Sequence, residues 1–61
     1  MKLVHNTMIK SGGGWIVSRS FEMDMPNEFE AVLTLLGFRK LDNGQWYKRT
    51  AYDACEIVEV K

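Results

Sequence analysis

Asn43-Gly44 sits between Phe38-Arg39-Lys40-Leu41-Asp42 and Gln45-Trp46-Tyr47-Lys48-Arg49, and an Asn-Gly pair between such apolar and basic runs is a strong short-range signal for a β-hairpin. The flanking runs then become antiparallel neighbours, and the rest of the chain has to be built around them. Two registers compete. A two-residue type I′ turn pairs Leu41 with Trp46 and puts Tyr47 on the face of Phe38. A three-residue loop, with Asp42-Asn43 in a type I turn and Gly44 as the bulge residue, pairs Leu41 with Gln45 and puts Trp46 on that face instead. A slip of one residue therefore exchanges the faces of Trp46 and Tyr47. The bulged register is favoured, because Phe38 and Trp46 then share a core with Leu33, which buries more apolar surface than Tyr47 would.

The other segments have clear periods. Leu3-Val4-His5-Asn6-Thr7-Met8-Ile9 and Trp15-Ile16-Val17-Ser18-Arg19-Ser20-Phe21 have strand composition and are separated by Ser11-Gly12-Gly13-Gly14, which predicts a first hairpin. Trp15, Val17 and Phe21 share one parity and Ser18, Ser20 and Glu22 the other, so the three apolar residues are expected on the buried face. Arg19 breaks that parity and is expected to lay its stem along the core edge. Phe29, Val32, Leu33 and Leu36 have the i, i+3, i+4, i+7 spacing of an amphipathic helix that starts between Met25 and Glu28. Pro26 suits the first helical position, Asn27 a cap, and Glu28 and Glu30 the positive end of the dipole. Gly37 predicts the stop, with Phe38 folding back onto Leu33 in a Schellman-type contact. Ala54 to Val60 reads as a last strand, joined through Thr50-Ala51-Tyr52-Asp53. The expectation is one domain, residues 1–61, with a two-layer α+β fold: an antiparallel sheet of about five strands in the order ββαβββ, and one amphipathic helix packed on one face.

Composition narrows the function classes. Eight Lys and Arg balance eight Asp and Glu, which argues against a dedicated duplex nucleic-acid binder, whose affinity rests on phosphate neutralisation. The charges are unevenly spread: Glu22, Asp24, Glu28 and Glu30 precede or open the helix, while Arg39, Lys40, Lys48 and Arg49 lie on the second hairpin, which predicts a dipolar molecule. Cys55 is the only cysteine, so no intramolecular disulfide forms and a cytoplasmic setting is expected. No apolar run nears the roughly 20 residues needed to span a bilayer, and no signal-peptide pattern opens the chain. It reads as a complete small open reading frame with no membrane role.

Candidate chemistry is thin. Ser11-Gly12-Gly13-Gly14 precedes a strand, where a phosphate-binding loop needs a Gly-Lys-Ser/Thr element before a helix, and it reads as a hairpin loop. His5 and Cys55 are too few for a structural zinc site, and no third group orients them as a nucleophile and base. No metal, cofactor or enzymatic activity is expected. The four acids are accounted for by the helix dipole, although collected on one surface they would mimic a phosphate array and suit a basic groove.

Leu35-Leu36-Gly37-Phe38-Arg39-Lys40 leading into Asn43-Gly44-Gln45-Trp46-Tyr47-Lys48 resembles, in general style, small orphan proteins encoded by bacteriophages. That resemblance implies a non-enzymatic protein-binding module, a phage or mobile-element inhibitor of a host macromolecular complex such as a polymerase, a nuclease or a CRISPR defence effector. Arg39, Lys40, Tyr47, Lys48, Arg49 and Tyr52 are the expected binding residues, since affinity concentrates in a few exposed aromatic and Arg anchors. The alternative is a single-stranded nucleic-acid binder that stacks bases on Tyr47 or Trp46 of hairpin 38–49 and meets phosphates with its four basic residues. The edge of so small a sheet also leaves room for a homodimer.

Overall fold

The computed structural model describes residues Met1–Lys61. The β-branched and apolar runs at the two ends of the chain form its longest strands, β1 (Lys2–Ser11), β2 (Gly14–Asp24) and β5 (Ala54–Val60). Between them come a helix α1 (Phe29–Leu35), a two-residue strand β3 (Arg39–Lys40) and a strand β4 (Trp46–Ala51). The result is a small, mostly sheet α+β protein. Its one antiparallel sheet of five strands has the spatial order β2-β1-β5-β4-β3. The molecule is elongated, 37 × 19 × 19 Å, because β1 and β2 run past the other strands.

The second hairpin adopts the bulged register. Leu41 N–H donates to the Gln45 carbonyl at 2.7 Å and Gly44 N–H to the Leu41 carbonyl at 3.0 Å. Gly44 has φ +88°, the left-handed conformation that the bulge residue requires. The Gln45 N–H also donates to Asn43 Oδ1 at 2.9 Å, which supports the turn from within. Lys40 therefore opposes Trp46 and Arg39 opposes Tyr47, and Trp46 goes to the core with Phe38.

The helix stops as its sequence dictates but starts late. Phe38 N–H donates to the Leu33 carbonyl at 2.9 Å and Gly37 N–H to the Thr34 carbonyl at 3.1 Å. With φ +96° at Gly37, this is the Schellman pair, and it lays Phe38 beside Leu33 in the core. At the other end Pro26, Asn27 and Glu28 form a turn outside the helix. The Phe29 N–H donates to the Pro26 carbonyl, Glu28 stands at the N-cap, and no side chain caps the helix. A helix of seven residues presents only about two turns, enough for two anchors. Phe29 and Leu33 are buried, while Val32 is half-buried and Leu36 lies beyond the last helical residue and is exposed. The expected four-residue stripe is thus reduced to two.

These two residues join Leu3, Phe38, Trp46 and Val58 in one buried cluster, with Met23 and Met25 packed against it. Six of the seven buried residues thus lie on one side of the sheet, and Cys55 is the seventh.

The first hairpin departs from its expected pattern. Thr7 opposes Arg19 but Met8 opposes Val17, so Ser18 is an extra, unmatched residue and β2 is bulged there. Beyond a bulge the alternation of faces resets. Phe21, opposite His5, and Arg19, opposite Thr7, lie on one side, while Val17, opposite Met8, and Trp15, opposite Lys10, lie on the other. Trp15, Val17 and Phe21 therefore do not share a face, and all three remain exposed. Arg19 sits with its guanidinium 6.0 Å from the Phe21 ring centroid. A smaller bulge at Thr50, between the Arg49–Cys55 and Ala51–Ala54 pairs, carries β4 through Ala51 and leaves only Tyr52-Asp53 as its connection to β5.

Candidate functional site

Residues directly opposite one another in a sheet point to the same side. Leu3 and His5, with their partners Val60 and Val58 and then Trp46, lie on the side where the helix packs. Asn6 and Met8, with Ile57 and Cys55 and then Tyr47 and Arg49, lie on the other. The helix is spent on the first side, so the second is an open face.

At its centre Met8, Trp15, Tyr47, Arg49, Cys55 and Ile57 line a shallow slot of about 310 Å³. The Trp15 ring forms one wall, with the Arg49 guanidinium 5.8 Å from its centroid, a cation–π geometry worth about 0.5–1 kcal/mol at an exposed site. Arg49 is held in place by donating from Nε to the Ala51 carbonyl at 3.0 Å and from Nη2 to the Tyr52 carbonyl at 2.5 Å. Cys55 forms part of the buried floor. Burial pushes its thiol pKa up, with Arg49 pulling down and Glu56 pushing up to lesser extents. The thiol is therefore protonated at neutral pH, and thiolate is the reactive form. We expect Cys55 to react with iodoacetamide at neutral pH many times more slowly in the native protein than in urea, as followed by intact mass; equal rates would mean that the floor opens freely.

The six residues expected to bind are divided among three places. Arg39, Tyr47 and Arg49 gather on the open face. Lys40, opposite Trp46, and Lys48, opposite Glu56, lie on the helix side. Lys40 pairs with Glu30 at 3.2 Å, and the Lys48 ammonium stands 5.7 Å from the Phe38 ring centroid. Tyr52 projects from the β4–β5 turn. The four basic residues of the second hairpin thus form no single patch. Trp15 was not among the expected residues, because its place beside Arg49 depends on the Ser18 bulge. Its spacing in the sequence points to the opposite face.

The expected charge separation is also cancelled. Three of the four acids around the helix start carry a lysine: Glu22 with Lys61, Asp24 with Lys2 at 3.3 Å, and Glu30 with Lys40. The Lys61 hydrogen bond, then its charge, holds the Glu22 carboxyl below its ordinary pKa. A depressed carboxylate pKa stabilises the fold above the unfolded value and loses that contribution as pH falls through the folded one; at so exposed a pair the contribution is small. No bare anionic array remains to imitate phosphate.

His5 lies on the helix side, its ring 5.0 Å from Phe21 and 6.3 Å from Phe38 by centroids. Its Nε2 is 2.5 Å from Glu56 Oε1. Cys55, on the open face, is across the sheet from it, so the two do not form a nucleophile–base pair. No three His, Cys, Asp or Glu side chains converge on one point, and no helix is long and apolar enough to cross a membrane. Comparison with protein families, curated proteins and solved structures finds no match to this chain.

Proposed function

We propose that the chain is a two-layer ββαβββ module that acts without catalysis, by binding another protein through its open sheet face. The observation that carries this reading is the Trp15–Arg49 pair above an apolar slot. An aromatic and an Arg beside a small pocket is the composition of an interface hot spot, and a folded protein has little other use for an uncovered apolar slot. The charge around it supports a partner type. Arg39 and Arg49 belong to none of the molecule's four ion pairs, so the face offers free cations to an acidic surface that inserts an apolar side chain. The resemblance of residues 35–48 to phage orphan proteins supports a host macromolecular complex as the target and the cytoplasm as the setting.

Nucleic acid is the weaker reading, because only Arg39 and Arg49 of the four hairpin cations share a side with Tyr47 and single-strand binding needs a continuous basic track. One pair of experiments separates the two. Trp46 is buried and Trp15 exposed, so fluorescence quenching reports on Trp15. For the protein partner recovered with the wild-type chain, Trp15→Ala and Arg49→Glu should each weaken binding about 30-fold or more, the size of a hot-spot loss, with far-UV circular dichroism unchanged. Unaltered binding in both variants would remove the open face from the interface. Salt-dependent quenching by an oligonucleotide would transfer the face to nucleic acid.

A further inference from the structure

The two edges of the sheet are unequal. β3 is two residues long and offers almost nothing to pair with, whereas β2 is an outer strand of eleven residues without proline or lysine. Trp15, Ile16, Val17 and Phe21 along it are between 41 and 52% exposed. An outer strand of this length is a template for another strand, and of its exposed large apolar residues Phe21 lies in the segment after Ser18. The Ser18 bulge interrupts it, which restricts regular pairing to Arg19–Asp24.

We propose that β2 pairs with β2 of a second copy, antiparallel, about a two-fold axis at Phe21, to make one continuous sheet. The register follows by elimination. A two-fold axis perpendicular to the sheet keeps each side of the sheet on the same side, so each residue must meet one of its own parity. Centring on Glu22 or Asp24 would set that carboxylate opposite its own copy, and centring on Met23 would set Glu22 opposite Asp24, all of which are destabilising. Centring on Ser20 leaves only Arg19 to Phe21 in regular pairing before the bulge. Centring on Phe21 pairs Arg19 with Met23, Ser20 with Glu22 and Phe21 with itself, five residues with no like charges opposed and an aromatic pair on the axis. Electrostatics do not resist it: Glu22 and Asp24 already carry Lys61 and Lys2, and the chain is formally neutral. The other edge is too short to propagate the sheet, so the assembly closes at two. Both open faces then lie on the same side of the joined sheet.

Sedimentation equilibrium of the full chain over a range of concentrations tests this, with Phe21→Lys as the disrupting variant and Ile16→Lys, on the same strand but beyond the bulge, as its control. The wild type and Ile16→Lys should approach twice the monomer mass with rising concentration, and Phe21→Lys should stay monomeric with an unchanged far-UV spectrum. Should Phe21→Lys fail to fold, Phe21→Cys and Ile16→Cys replace it: only the first should give a covalent dimer under mild oxidation, since residues facing across the axis have the Cα separation a disulfide needs. A wild type that remains monomeric throughout, a dimer that survives Phe21→Lys, equal loss in both lysine variants, or cross-linking of Ile16→Cys as readily as Phe21→Cys would overturn the proposal.

Discussion

Replacing Trp46 with alanine should remove most of the stability of this protein. The ring is 6% exposed and shares its cluster with Phe29, Leu33 and Phe38, and Trp→Ala in a core costs about 3–5 kcal/mol, the lost transfer energy plus the cavity left behind. A chain of 61 residues has roughly 3–9 kcal/mol in total at typical per-residue values. With only seven residues buried, the cavity cannot be shared among many neighbours. The measurement is urea unfolding by far-UV circular dichroism, because the remaining Trp15 lies outside the core and its fluorescence reports on the slot. Trp46→Phe, which keeps an aromatic ring in the core and leaves a smaller cavity, should cost less, and Tyr47→Ala, on the other side of the sheet, should also cost much less than Trp46→Ala. A lower midpoint for Tyr47→Ala than for Trp46→Ala would mean that the hairpin closes in the other register.

The second large effect lies in the helix. Leu33 is 3% exposed, whereas Leu36 is 54% and Leu35 88% exposed. Leu33→Ala should lower stability by about 3 kcal/mol, in the range for a buried leucine. Leu35→Ala and Leu36→Ala should stay within about 0.5–1 kcal/mol of wild type, as surface substitutions do. Thermal unfolding of the three variants side by side gives the contrast directly. A comparable loss at Leu36 would show that the buried stripe extends past Leu35 to the residue before the glycine.

That contrast also marks what the amino-acid pattern reveals and what it conceals. Gly37 and Gly44 are local devices, each setting the chain's direction through one backbone conformation. With Phe38 tethered to the helix end, the register of the second hairpin and the burial of Trp46 could be reasoned out. Leu36 was misplaced because spacing tells which residues share a stripe but not how many turns the stripe lasts. The Ser18 bulge has no local marker: Val17-Ser18-Arg19 contains neither glycine nor proline, and an unmatched residue is defined only against the partner strand. Spacing alone therefore assigns Trp15 to the opposite side, away from the open-face slot. The charge pattern misled for a similar reason. Lys2 and Lys61 reach Asp24 and Glu22 across 22 and 39 residues of chain, so neutralisation depends on the completed sheet.

Ser18 therefore acts as a phase shift written into one strand. Upstream of it β2 contributes Trp15 to the slot; downstream it contributes Phe21 to the flank of His5. Deleting that one serine would remove the unmatched residue and let β2 alternate without a break, with Val17 still opposite Met8, Arg19 still opposite Thr7 and Trp15 still on the open face. Trp15 and Phe21 stand six residues apart, a spacing that would set both on one face of an unbroken strand, and the one unmatched residue between them lets a single strand serve both surfaces of the sheet.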